Sequence, residues 1–296
     1  MKIVMTGASG LIGRRLMKTL AADGHTLHVL SRHAGTNLPP GVAISAWNPL
    51  KNEPPSEALD GAGAVIHLAG EPVAQRWNDD VKRKIRESRV ASTENLVRAM
   101  SKMNAAPKTL ICASAIGYYG DRGEEVLTEA SAAGTGFLPE VCVAWEKAAL
   151  DAEKFGTRVV RVRIGIVLDA RGGALAKMLP PFKMGVGGRV GSGKQWMSWI
   201  HIEDLVGLFR FAVAQQIRGA INGVAPNPVT NAEFTRALGA AVKRPAIFPV
   251  PGLALKVVFG EMADVLTGSQ RVLPKAVEAY PFRFPQLDAA LVELLG

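Results

Sequence analysis

Three glycines in Thr6-Gly7-Ala8-Ser9-Gly10-Leu11-Ile12-Gly13 are spaced G-x-x-G-x-x-G, directly after an apolar run and at the start of a helical pattern. That spacing suits the pyrophosphate of a dinucleotide. The first glycine permits a tight turn, the second lets the backbone approach the phosphates, and the third lets helix and strand pack closely. The helix N-terminus adds free N–H groups and the positive end of its dipole. Gly7, Ser9, Gly10, Leu11, Ile12 and Gly13 are therefore the expected phosphate-side contacts. Ser31 and Arg32 end the next apolar run, where an acidic residue would hold ribose hydroxyls and repel a 2′-phosphate. A hydroxyl and a guanidinium instead favour that phosphate through charge-assisted hydrogen bonds, so the expected cofactor is NADP(H). Leu68, Ala69 and Gly70 follow a third run and supply small residues beside the cofactor. Arg89 either reaches the ribose or nicotinamide side or is a surface ion-pair residue.

Other chemistry-bearing residues carry weaker signals. Gly188–Gln195 nearly spells a P-loop, but Gln195 has no hydroxyl for magnesium and a strand pattern follows instead of a helix. The segment reads instead as a substrate-side loop, with Arg189 and Lys194 available for a phosphate or carboxylate. Arg163, Lys194, Gln195 and Trp199 are the substrate-side candidates. Trp77, Trp196 and Trp199 could each face a ligand, although core packing is the simpler expectation for any one of them. The histidines (25, 28, 33, 67 and 201) show no metal-ligand spacing, so no metal is expected. His67 reads as a packed residue and His201 as the cap of a following helix.

These residues need a scaffold, and the composition supplies one. The chain has 296 residues, 48% hydrophobic and 21% charged, which excludes general disorder. Its apolar runs fall well short of the ~18 residues a membrane helix needs. The start of the chain lacks a secretory pattern. Two cysteines, Cys112 and Cys142, form no close metal pair. A soluble protein of a reducing compartment, the cytoplasm, is expected. Strand patterns at Lys2–Thr6, Thr26–Leu30, Ala64–Ala69, Thr109–Ala113 and Thr157–Leu168 alternate with helical ones at Leu11–Ala22, Trp77–Met103 and Pro139–Phe155. This predicts an α/β fold, a Rossmann-type doubly wound parallel sheet with a smaller, mostly helical C-terminal lobe. The glycine- and proline-rich stretch 172–194 reads as a loop-rich insertion. A short strand at Trp196–Ile202 and a helix at Glu203–Gln216 follow it. Residues 1–165 form the expected cofactor domain, with 196–224 returning to it. Residues 166–195 and 225–296 form the substrate-side lobe.

Several motifs resemble the extended short-chain dehydrogenase/reductase superfamily: Gly7/Gly10/Gly13, His67-Leu68-Ala69-Gly70, and Ser114 after the fifth strand pattern. The stretches LAGEPVAQRWNDDVKRKIRESRVAST (68–93), SAIGYYG (114–120), GSGKQWMSWIHIEDLV (191–206), NGVAPNPVTNAEF (222–234) and PFRFPQL (281–287) narrow it. They resemble the YfcH-type epimerase family, an atypical, NAD(P)-dependent epimerase/dehydratase-like branch with its own C-terminal domain, here after about residue 245. The resemblance implies an NADP(H)-binding fold, with cofactor contacts on the Gly7–Gly13 loop, Ser31, Arg32, Leu68, Ala69 and Arg89. Catalysis in the superfamily uses a Tyr-x-x-x-Lys pair, in which the lysine tunes the phenol for proton exchange during hydride transfer. Here Tyr118, Tyr119 and Tyr280 all lack a lysine four residues on. Anchoring the helix on Trp145-Glu146 puts Pro139 and Val143 where the pair would stand. Ser114, Tyr118 and Tyr119 remain the catalytic candidates, with Arg161 or Arg163 as alternatives that would polarise a carbonyl.

Two functions stay open on this reading. One is an NADP(H)-dependent oxidoreductase or epimerase acting on a small anionic substrate such as a nucleotide-sugar. The other is a non-catalytic NADP(H)-binding sensor or regulatory protein. The net charge of +9 raises nucleic acid as a third possibility. Residues 75–108 hold nine Lys/Arg against four Asp/Glu, and residues 158–194 hold eight against one. The surplus is thus local, in segments expected to border the crevice. Neither nucleic acid nor a membrane is an expected partner, and the sequence carries no signal for oligomeric state.

Overall fold

The computed structural model describes residues 1–32 and 38–296, and His33 lies outside the described residues. Seven parallel strands form the central sheet. They are β1 (Lys2–Thr6), β2 (Thr26–Ser31), β3 (Ala43–Ala46), β4 (Ala62–His67), β5 (Thr109–Ala115), β6 (Arg158–Ile164) and β7 (Gly219–Gly223). Their order across the sheet is β7-β6-β5-β4-β1-β2-β3. This is the doubly wound arrangement, with its topological switch point beside β1. The helices of eight or more residues are α1 (Leu11–Ala22), α2 (Asp79–Glu87), α3 (Val90–Ser101), α4 (Phe137–Leu150), α5 (Gly173–Lys183), α6 (Ile202–Ala214), α7 (Asn231–Ala241), α8 (Gly252–Phe259) and α9 (Leu287–Leu295).

Alternation along the strands builds two cores. Ile3 and Met5 pack with Leu16 and Leu20 of α1 and with Leu208 and Phe209 of α6. Val4, between them on β1, points the other way and packs with Leu96 and Met100 of α3 and Trp145 of α4. Both faces of the sheet are therefore dry, as a parallel sheet requires. A third core joins Leu175 and Leu179 of α5, Phe234 and Leu238 of α7, and Leu287 and Leu291 of α9. It forms the interior of the helical C-terminal region.

The elements differ from the sequence expectation in several places. The single helix expected over Trp77–Met103 is two, α2 and α3. Asn78 caps α2 by accepting the Val81 N–H at 2.8 Å. The break at Ser88–Arg89 coincides with hydroxyls that bond back into the helix, Ser92 to the Ser88 carbonyl and Thr93 to the Arg89 carbonyl, both at 2.6 Å. Back-bonding of this kind bends helices. The strand expected over Thr157–Leu168 divides at Gly165, where a Cβ would lie 2.5 Å from the Ser198 carbonyl oxygen. Beyond it Ile166–Asp169 leaves the main sheet and pairs with Trp199–His201. Half of the loop expected at 172–194 is helix α5, which carries Pro180 and Pro181 in its C-terminal part. β3 had no separate expectation, since its four residues are too few to show a period.

Candidate functional site

The cleft at the carboxyl ends of the strands begins with the glycine turn. Gly7 has φ of 67°, and a Cβ there would stand 2.7 Å from the Leu68 carbonyl carbon. A Cβ at Gly13 would lie 2.2 Å from the Gly7 carbonyl oxygen, so only glycine lets α1 start this close to β1. Gly10 caps α1 with no side-chain hydrogen bond, and no acidic residue stands in the first turn. The N–H groups and dipole of that turn are left for a ligand. They face a cleft of about 380 Å³ whose walls include Gly7, Gly10 and Leu68 on one side and Ile166, Val167 and Gly173 on the other. Leu11 and Ile12 also line it. Ser9 is exposed at its rim, and its carbonyl accepts from Arg14 Nε at 2.6 Å. On the far wall the first turn of α5 is likewise free of side-chain caps and acids. Asp169 holds that wall in place, accepting the Arg171 N–H at 2.9 Å and pairing with Arg15 of α1 at 3.0 Å.

The floor of the cleft is tied by a buried relay. The Thr6 hydroxyl oxygen accepts the N–H groups of Leu68 at 3.1 Å and Ala69 at 3.2 Å. Its own proton is then available for His67 Nδ1 at 2.7 Å, which leaves Nε2–H to donate to Ser92 Oγ at 3.2 Å. Burial pushes the His67 pKa down to about 4, so the ring is a neutral bridge between β1, β4 and α3. Arg89 sits at the edge of the same floor. Its Cζ would be 3.2 Å from a Cβ on Gly70 and lies 5.3 Å from the Trp145 ring centroid. It donates to the Ile85 carbonyl at 3.1 Å and makes no ion pair among the described residues. Burial lowers its pKa. Ser31, at the end of β2, is half-buried and accepts the Trp47 N–H through its carbonyl at 2.8 Å. Arg32 beside it is exposed.

The opposite half, at the ends of β5 and β6, is closed. Ser114 is 2% exposed and donates to Glu146 Oε1 at 2.7 Å. Arg163 forks onto the same carboxylate, with Nε at 2.8 Å from Oε1 and Nη2 at 3.0 Å from Oε2, while Arg161 reaches Oε2 at 2.9 Å. Tyr119 is fully buried, donates to Asn222 at 2.7 Å, and accepts from Arg163 at 3.0 Å. Burial raises the pKa of its phenol. Burial alone would pull Arg163 down, but the bonds and charge of Glu146 outweigh it and hold it above its ordinary value. Three expectations are corrected by this network. Ser114 and Tyr119 are consumed by buried partners rather than open to a substrate, and Arg163 neutralises Glu146 instead of waiting for an anion. Tyr118 differs: it is half-buried, with the Arg163 guanidinium carbon 3.5 Å above its ring.

The register of α4 is also corrected by one residue. Leu138 and Cys142, four apart, approach Gly117 after β5, and Cys142 bonds to the Ala115 backbone. Val143 is 42% exposed and Pro139 lies against Gly120. An isobutyl group and a thiol raised by burial to about 12 therefore face the strand end, instead of a phenol and an ammonium.

The substrate-side candidates scatter. Trp199 is wholly buried in the third core with its indole N–H on the Asn227 carbonyl at 3.1 Å. Gln195 is buried and donates to the Val190 carbonyl at 3.1 Å. Both support the fold and neither touches the cleft. Lys194 is exposed. His201 caps α6 through the Glu203 N–H at 3.1 Å. Part of the basic charge of 75–108 is taken up by ion pairs, Arg83 and Lys84 with Asp80 of the same segment, and Lys82 with Glu261 and Lys102 with Glu53 outside it. Arg89 of this segment stands at the edge of the cleft floor. The residues that sequence reasoning missed are Glu146 and Asn222. The signal for Glu146 was present in Arg161 and Arg163, two apart on one strand and so on one face, which cannot both be buried without a carboxylate.

Residues 3–224 match the model of the NAD dependent epimerase/dehydratase family, and residues 250–294 match a domain of unknown function, DUF1731. The chain is 42% identical to the chloroplastic SDR39U1 homolog of Arabidopsis thaliana, over 96% of this chain and 83% of that one. It is 44% identical to the epimerase family protein Mb2239 of Mycobacterium bovis, over 95% and 93%. Among solved structures it is similar to human epimerase family protein SDR39U1 with NADPH, at 35% identity and a TM-score of 0.89, covering 100% of this chain and 99% of that one.

Proposed function

The chain belongs to the NAD dependent epimerase/dehydratase family, and from that premise we propose that it binds NADP(H) and exchanges hydride between that cofactor and a small anionic substrate. The observation that carries the reading is the uncapped, acid-free first turn of α1 over an open cleft, with Arg32 at the end of β2. The pyrophosphate would lie on the Gly7–Gly13 turn and the 2′-phosphate against Ser31 and Arg32, where a guanidinium forms charge-assisted bonds that an acidic residue would forbid. NADPH in the human relative supports this choice. The cofactor supplies the hydride when bound. This chain's part is to hold the pyrophosphate, keep Leu68 and Ala69 in place through Thr6 and His67, and present Arg89 at the edge of the floor.

Proton exchange is the step with fewest available groups. Tyr118 is the one tyrosine of the SAIGYYG turn that is not sealed, and the Arg163 guanidinium carbon lies 3.5 Å from its ring centroid. Cytoplasmic residence fits two free, buried thiols. The second reading, a non-catalytic NADP(H) sensor, is favoured by Leu138 and Cys142 at the strand end. Turnover of NADPH against a panel of small carboxylates, phosphate esters and nucleotide-sugars separates the two. Hydride transfer that drops about 100-fold in Tyr118→Phe with unchanged NADPH binding supports the first. NADPH that stays bound and unoxidised across the panel supports the second.

A further inference from the structure

Beyond the cofactor cleft, a cavity of about 460 Å³ opens on the C-terminal region. Its volume is that of a small-molecule site. Three arginines from three segments line it: Arg189 from the loop after α5, Arg236 from α7, and Arg244 from the turn that follows α7. Ala232, Thr235, Gly239 and Ala240 add one face of α7, and Ile247 and Pro249 add an apolar wall. No carboxylate lines the cavity, and none of the three arginines makes an ion pair among the described residues. Glu233 is the acid nearest Arg236 along α7. Its carboxylate feels the Arg236 charge but forms no ion pair with it, and Oε2 accepts the Thr230 N–H at 2.7 Å and the Thr230 hydroxyl at 2.9 Å.

The backbone holds these cations in place. Lys243 takes a φ of 55°, a conformation that side chains other than those of glycine and asparagine seldom adopt. There it ends α7 and sends the Arg244 N–H back to the Gly239 carbonyl at 2.9 Å. Arg189 is held through its carbonyl, which accepts the Val250 N–H at 2.8 Å. Three guanidinium groups at one concave surface repel one another and focus a positive field into the hollow. A multiply charged anion would relieve both effects, and the guanidinium fork matches phosphate oxygens.

We propose that this cavity is a second anion site, separate from the cofactor cleft, that takes an organic diphosphate, its charge on Arg189, Arg236 and Arg244 and its organic part against Ile247 and Pro249. The two sites lie toward opposite ends of α5. Gly173 and Ala174 line the cofactor cleft, whereas Gly185, beyond the other end, abuts Pro245. Eleven residues of helix put roughly 16 Å between those ends. One small anion cannot fill both.

The test is calorimetric titration of the full chain, saturated with NADPH, with inorganic pyrophosphate, ADP and citrate as probes. The expected result is one site for pyrophosphate and for ADP, weakened by salt and unaffected by NADPH. Binding should fall at least about tenfold in Arg236→Ser/Arg244→Ser while NADPH affinity is unchanged, which also reports that the variant is folded. Ala232→Asp, which puts a carboxylate at the cavity wall, should weaken the same binding. Pyrophosphate that fails to bind, that competes with NADPH, or that binds both variants as tightly as the wild type would overturn the proposal. Citrate binding as tightly as pyrophosphate would overturn its phosphate selectivity. If NADPH itself does not bind, the cofactor reading fails, and the arginine variants still decide this one.

Discussion

The two halves of the crevice treat their polar groups in opposite ways. At β1 and β2 the chain withholds side chains: glycines clear the turn, α1 has no cap, and Arg32 stands exposed. Hydrogen-bonding capacity is left over and directed outward. At β5 and β6 the polar side chains are abundant, but most are spent on one another: Ser114 on Glu146, Glu146 on two arginines, Arg163 on Tyr119, and Tyr119 on Asn222. One side of the cleft thus keeps its binding groups open while most polar groups on the other form a buried strut. Each half should then fail differently when cut.

The largest effect is expected at the strut. Glu146→Ala leaves Arg163, itself 4% exposed, buried without its counter-ion. Breaking such a pair costs about 3–5 kcal/mol. Urea unfolding should show that loss, while NADPH affinity of the folded protein changes little. A loss under about 1 kcal/mol would mean that the strut is not structural.

Next is the relay under the cofactor floor. His67 has an ordinary value of 6.5 and a folded value of about 4, so between them the unfolded chain binds more protons than the folded one. Its stabilising contribution is full above about pH 6.5 and is lost as the pH falls toward 4, by about 3 kcal/mol in all. The pH dependence of the unfolding midpoint should therefore be flatter in His67→Gln. Equal slopes in the two proteins would show that the ring is not held neutral.

The smallest effect separates two adjacent phenols. Tyr119→Phe removes the bonds to Asn222 and Arg163 and should cost about 1 kcal/mol of stability with turnover retained. Tyr118→Phe should do the reverse. Loss of turnover from Tyr119→Phe alone would reopen the closed half.

The same contrast governs what the sequence reveals. Backbone-driven features are local and legible: the glycine turn, the strand–helix alternation, and His201 as a cap are all set by neighbours in the chain. Glu146 is not, because its partners are 15, 17 and 32 residues away and meet it only through the sheet. The one-residue shift from Pro139/Val143 to Leu138/Cys142 arose because a helical pattern tolerates either register until a strand packs against it. Trp199 and Gln195 are substrate-side candidates by residue type alone, and their N–H groups are satisfied by carbonyls inside the protein, which only the fold reveals. The break at Ser88–Arg89 was hidden because hydroxyl back-bonds leave the apolar spacing unchanged.

The central claim is that the open half is built for a 2′-phosphorylated dinucleotide. Fluorescence titration of the wild type and of Arg32→Ala, each with NADPH and with NADH, tests it most directly. The expected result is tighter binding of NADPH than of NADH by the wild type. In the variant, NADPH affinity should fall at least about tenfold, while that of NADH stays within about twofold. Equal losses for both cofactors, or a wild type that binds NADH as tightly as NADPH, would contradict it.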